Sequence, residues 1–261
     1  ALTQARVQPL GQGAHIGGQI LRFAPWEGVF LFIAIVGLIL TVSAGLMRET
    51  LPQRRRVSGG MAASMKSFTA LFRQPYFMGH CIMQCFSFAA FFAYISGSSF
   101  VFQNVYGVSA QAFSLIFGIN GVGLMINGAV TGRLTGRIAD WKLLRFSLCL
   151  SAVGSVALLA AFSTGMPLPV IMVILFLTVS TLSMMSTSSF SMAMQDQGRS
   201  AGSASALIGF FSMISGAVMA PVVGIAGDHT AIPMGIVMVI GEIGALLAFY
   251  ALIYPRHRKE H

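Results

Sequence analysis

Apolar residues in this chain gather into long continuous stretches instead of alternating or recurring every third and fourth position. Seven stretches, at 28–47, 77–102, 111–131, 144–164, 168–190, 203–226 and 232–254, are long enough to span. Each approaches or exceeds the roughly 20 residues a helix needs to cross a bilayer's hydrocarbon. An eighth, at 7–23, is weaker, because Gln8, Gln12, His15 and Gln19 interrupt its glycines and aliphatics. The pattern predicts an all-α membrane protein.

Charge settles how the weak stretch is read, because basic residues collect in the loops on one side of a membrane. Of the sixteen Lys and Arg, all but Arg22 fall near Arg6, in 48–76, in 132–145, at Arg199 or in the tail with Arg256, Arg258 and Lys259. The intervening connections 103–110, 165–167 and 227–231 hold none. This alternation requires 7–23 to cross, and predicts eight spans with both ends cytoplasmic. The long basic stretch 48–76, amphipathic in part through Met65, Phe68, Leu71 and Phe72, separates two spans from six. The expected organisation is the end of one bundle at 1–47, a cytoplasmic linker at 48–76, a six-helix bundle at 77–254 and a tail at 255–261. Six spans after a long loop match the second half of a twelve-helix secondary transporter. About four further spans are then expected upstream, so the chain is expected to be part of a longer protein.

Composition changes the picture by exclusion. The chain is 56% hydrophobic and only 9% charged, against about 25% charged in an ordinary soluble domain. Its net charge of +9 follows from loop topology, so no nucleic-acid partner is expected. Cys81, Cys85 and Cys149 lie in apolar stretches, where cysteine acts as a small hydrophobe. With His80 alone beside the first two, no metal site is expected, and no cofactor. An enzyme would need His, Asp or Glu clustered at one depth, whereas His80 and Glu242 stand far apart without companions. No enzymatic activity is expected.

Candidate transport residues are polar groups inside the spans. On 77–102, His80, Gln84, Ser87, Phe91, Tyr94 and Ser98 recur at steps of four and three and form one stripe. In hydrocarbon such a stripe must face protein or water. It is either a cavity wall for an amphipathic solute or a row of interhelical bonds worth about 0.6 kcal/mol each. Asn120 and Asn127 share a face of 111–131 with Gly123 between them, open to the same two readings. Segment 168–190 is rich in Ser and Thr, Thr187 among them, on several faces. Ser205, Ser212 and Ser215 sit among glycines, a surface suited to close helix contact. Glu242 is the one acidic residue deep in a span, where a charge costs several kcal/mol. Its first reading is a neutral carboxyl bonded to a neighbouring helix, its second a coupling group. Arg133 and Arg137 read first as topological anchors.

The stretch 92–109, Phe-Ala-Tyr-Ile-Ser-Gly-Ser-Ser-Phe-Val-Phe-Gln-Asn-Val-Tyr-Gly-Val-Ser, resembles the seventh helix and following loop of major facilitator superfamily drug-efflux pumps of the bicyclomycin-resistance (Bcr/CflA) branch. The resemblance extends through Ile119-Asn-Gly-Val-Gly-Leu, Asn127-Gly-Ala-Val-Thr-Gly-Arg-Leu and Arg199-Ser-Ala-Gly-Ser-Ala. Upstream it includes Gly17-Gly-Gln-Ile-Leu, Trp26-Glu-Gly-Val-Phe and Arg48-Glu-Thr-Leu-Pro. It implies a proton-coupled antiporter of the cell inner membrane that exports drugs or small amphipathic solutes by alternating access, with helices seven, eight, ten and eleven facing the cavity and helices one to four lying upstream. It also implies gating roles for Gly13, Gly17 and Gly18 in an antiporter motif, where Ala14 stands in place of Pro. Gly132, Arg133, Gly136 and Arg137 match a loop motif in which Gly136 stands where Asp is expected. A metabolite or sugar transporter of the same superfamily would show more charged cavity groups, and a non-transporting remnant is the remaining alternative.

Overall fold

A computed structural model describes residues 27–46, 60–198, 200–225 and 230–258. Nine helices run through them: α1 (Glu27–Leu46), α2 (Gly60–Phe72), α3 (Pro75–Phe100), α4 (Ala110–Leu134), α5 (Asp140–Ser163), α6 (Leu168–Met194), α7 (Ala201–Ile225), α8 (Ile232–Ala248) and α9 (Tyr254–Arg258). Single π-helical turns extend α3 over Val101–Val105 and α8 over Phe249–Ile253. Six helices, α3 to α8, are long and apolar enough to span a membrane. The 28–47 stretch forms α1, whose apolar part covers Phe30–Leu46. The stretch 7–23, with the motif glycines Gly13, Gly17 and Gly18, lies outside the described residues.

Local chemistry sets the helix ends. Proline occupies the first turn of α3, α6 and α8, where its missing N–H is not needed. Ser109 caps α4 by accepting the Ala112 N–H at 3.3 Å. Gly107 and Gly165 take positive φ angles of 64° and 65° in the connections before α4 and α6. Within the expected linker, α2 is a docked helix: Leu71 is buried with Phe77, Cys81 and Leu207 of α3 and α7.

The bundle has an internal order. α4 packs on α6, α6 on α5, α5 on α8, α8 on α3 and α3 on α7. Exchanging α3 with α6, α4 with α7 and α5 with α8 maps this set of contacts onto itself. The six helices are therefore two three-helix repeats, as transporter halves are built. Burial is reversed relative to a water-soluble bundle: His80, Gln84, Asn120, Ser147 and Glu242 are buried, while Phe146, Val153, Val173, Ile240 and Leu247 are exposed. Hydrocarbon rewards this arrangement, since it solvates the apolar groups and leaves polar ones to find partners inside.

Because successive spans reverse direction, Arg73, Arg137, Lys142 and Arg256 come to one end. There Tyr76 bonds His257 at 3.1 Å, Arg256 pairs with Asp196 at 2.6 Å, and Ser191 donates to Asp140 at 2.8 Å. At the other end the Tyr106 hydroxyl reaches the Met166 carbonyl at 3.5 Å.

Candidate solute cavity

α3 meets α4 and α6 around an aromatic hollow. The close approach of α4 to α6 depends on Gly123, where a Cβ would strike Ser180 and Phe176. That approach sets Asn120 against α3, and its amide donates to the Tyr94 hydroxyl at 3.1 Å with both side chains buried. The Tyr94 ring stacks on Phe117 with centroids 5.7 Å apart and an 11° interplanar angle. Phe91 leans on Tyr94 at 6.1 Å, and Phe113 on Phe117 at 5.9 Å. Together Phe91, Tyr94, Ile95, Phe117, Asn120 and Leu124 line most of a cavity of about 130 Å³.

Size decides what this cavity can hold. Drug-sized pockets run about 300–1,000 Å³, so 130 Å³ accommodates one ring or a short apolar branch and not a whole solute. Its walls offer aromatic faces and a single polar pair. A planar apolar group bearing a donor or acceptor can stack on the rings and compete for the Tyr94–Asn120 bond.

The structure thus brings Phe91, Tyr94 and Asn120 together. It sends the other stripe residues elsewhere. His80 Nδ1 pairs with Ser189 Oγ at 2.9 Å, Ser186 donates to Gln84 at 3.4 Å, and Ser87 approaches Met185, all three across the α3–α6 contact. Ser98 donates back to the Ile95 carbonyl at 3.3 Å. Thr187 is exposed on α6. Asn127 sits two turns beyond Asn120, with Oδ1 buried and unpartnered among the described residues. Phe113, Phe117 and Leu124 were not singled out by polarity. Their signal is spacing, because Phe113, Phe117, Asn120 and Leu124 follow steps of four, three and four and so share one helical face.

The α4–α5 turn explains its glycine. Gly136 has φ of 85°, a left-handed conformation at the end of α4 that a side chain resists. Arg137 and Ile138 donate their N–H groups to the Leu134 carbonyl at 2.9 Å, closing the turn, and Arg133 lies exposed in the last turn of α4. Gly132 has open space around it. Asp140, held by Ser191, fastens this turn to the end of α6.

Glu242 is 5% exposed on α8, and Ser151 of α5 lies beside its carboxyl group. Glu242 Oε2 and Ser151 Oγ nevertheless lack a well-formed hydrogen bond among the described residues. The flanking hydroxyls turn away: Ser147 donates to the Leu144 carbonyl and Ser155 to that of Ala152. The spacing Ser147, Ser151, Ser155 carries the signal for this polar seam.

Two three-helix repeats, polar groups turned inward and a small aromatic cavity between them are the frame of a transporter half. A model of the Major Facilitator Superfamily matches residues 10–221. The chain belongs to that superfamily. It is therefore an integral, multi-pass membrane protein of a transporter family, not an enzyme. It is 36% identical over 251 residues to the uncharacterized MFS-type transporter YdgK of Bacillus subtilis (strain 168), covering 96% of this chain and 61% of that protein. It is 27% identical over 240 residues to a bicyclomycin resistance protein homolog of Haemophilus influenzae (strain ATCC 51907 / DSM 11121 / KW20 / Rd), covering 91% of this chain and 60% of that one. The chain thus spans about three-fifths of the length of these curated relatives.

Proposed function

We propose that this major facilitator chain is the greater part of a proton-coupled exporter of drugs or small amphipathic solutes, of the Bcr/CflA branch. In this reading residues 1–47 end an N-terminal six-helix bundle, four more helices precede them, and the basic ends of the spans face the cytoplasm. The observation that carries the reading is the Tyr94–Asn120 pair set among Phe91 and Phe117. It offers stacking surface and one polar handle without a charge, which suits amphipathic solutes of varied shape and not sugars or ionic metabolites. The likeness to a bicyclomycin resistance homolog supports the same substrate class. The two bundles rock about a midplane cavity, and the pocket described here holds one ring of the solute. Glu242 is this chain's candidate for proton coupling, and Thr187 is a further cavity candidate on the open face of α6.

The test is efflux from cells or proteoliposomes containing the full-length protein, across a panel of small amphipathic antibiotics, with and without an uncoupler. Uncoupler-sensitive export of several of them is expected. Asn120→Ala should change the relative rates among panel members severalfold at equal expression. Export of none of the panel, or export that ignores the uncoupler, refutes the proposal.

A further inference from the structure

On the side of the bundle away from the cavity, α5 and α8 present their basic ends to the membrane surface. Lys142 Nζ and the Arg145 guanidinium carbon each lie 5.5 Å from the centre of the same Trp141 ring. Both cations are exposed, and neither has a carboxylate partner among the described residues. Among the described residues, Asp140 at this end accepts from Ser191, and Asp196 is paired with Arg256. Two like charges around one ring repel each other, and neither is ion-paired among the described residues.

The surroundings define what would. Trp141 meets Tyr254 at 6.2 Å, and Tyr254 meets Tyr250 at 5.4 Å. Arg145 lies near the half-exposed Tyr250. Tryptophan and tyrosine grouped in this way mark the depth of lipid headgroups. Directly toward the midplane from this patch run exposed apolar rows, Phe146, Leu150 and Val153 on α5 and Ile243 and Leu247 on α8. A ligand that satisfies both parts carries a phosphate at one end and hydrocarbon at the other. Arginine offers forked donors to phosphate and lysine a compact charge.

We propose that Lys142 and Arg145, with Trp141 and Tyr250, bind the phosphate headgroup of an anionic phospholipid whose acyl chains lie along the α5–α8 face. The site is separate from the solute cavity and independent of what the protein exports. An acidic protein segment would satisfy the charges, but it would leave the adjoining apolar rows unused.

Trp141 is itself the reporter, since it sits within the proposed site. The full-length protein, with every tryptophan except Trp141 replaced by phenylalanine, is reconstituted in vesicles containing either brominated phosphatidylglycerol or brominated phosphatidylcholine, and quenching of Trp141 fluorescence is measured. Phosphatidylglycerol should quench at severalfold lower mole fraction, with each basic side chain contributing up to about fivefold. Lys142→Gln with Arg145→Gln should bring the ratio to about one, whereas the charge-keeping pair Lys142→Arg with Arg145→Lys should retain most of it. Equal quenching by the two lipids in the parent chain overturns the proposal and is the result expected of a docking site for an acidic protein. A preference that survives the double glutamine variant overturns it as well.

Discussion

The seam between α3 and α8 provides the sharpest test of the packing that positions Tyr94. At Gly241 a Cβ would lie 2.7 Å from the Phe86 carbonyl oxygen, 2.9 Å from Ala90 Cβ and 3.0 Å from the Ala90 nitrogen. A Cβ essentially never comes within 3.0 Å of such an atom, so Gly241→Ala must push the helices apart by about 0.3 Å or more. Two of the three obstructing atoms are backbone, which no rotamer change can move. Overpacking of this kind costs about 1–3 kcal/mol, set against a helix-propensity gain of up to about 1 kcal/mol for replacing glycine. Gly209→Ala on α7 isolates the second effect, because nothing lies within 4 Å of the added methyl. In mixed micelles titrated with a denaturing detergent, Gly241→Ala should therefore be less stable than Gly209→Ala by about 1–3 kcal/mol. The propensity contribution cancels between the two. If the two variants unfold at the same detergent fraction, the α3–α8 contact is not as close as described, and the register that sets Tyr94 against α4 loses its support.

Three further outcomes are expected. Glu242→Gln preserves shape inside the α5–α8 seam, so the full-length protein should reach the membrane normally while the dependence of export on an imposed proton gradient falls severalfold; an unchanged dependence removes Glu242 from coupling. Gly136→Ala places a methyl group at a φ of 85° and should cost about 1–2 kcal/mol, whereas Gly132→Ala, in open space, should cost nothing measurable in the same detergent titration. At the basic end, Asp196→Asn removes a half-exposed ion pair and should cost less than about 1 kcal/mol. Arg256→Ala should cost more, since Arg256 also lies 4.4 Å over the Tyr76 ring.

The spans were legible because bilayer thickness imposes a length that composition reveals. Their ends were less so, for a physical reason. The run at 144–164 marks where hydrocarbon begins, yet α5 starts at Asp140, because backbone hydrogen bonds continue through the charged interface where hydropathy no longer favours them. The same holds for α6, which runs on to Met194. The turn glycine Gly136 was matched to a motif position, but its function as a left-handed helix terminator depends on φ, which motif spacing does not contain.

The site was legible only in azimuth. A polar stripe inside a span states that partners are required along one line of the helix, and His80, Gln84, Ser87, Tyr94 and Ser98 indeed are buried. It does not state which neighbour occupies that line at each depth. α3 touches α6, α7 and α8, and the stripe crosses from one contact to another. Near the basic end it meets the hydroxyls of α6, where His80 and Gln84 are consumed as interhelical bonds. About three to four turns farther along, α4 enters, and Tyr94 gains both Asn120 and the face of Phe117. Polarity located the first group as readily as the second, and it passed over Phe117 because an aromatic wall has no polar mark in an apolar span. What separates glue from cavity here is the placing of rings and small residues on the opposing helix: Gly123 lets α4 close on α6, and Phe113 and Phe117 keep α4 from closing on α3. That distinction belongs to pairs of helices, so it becomes visible only once the pairs are known.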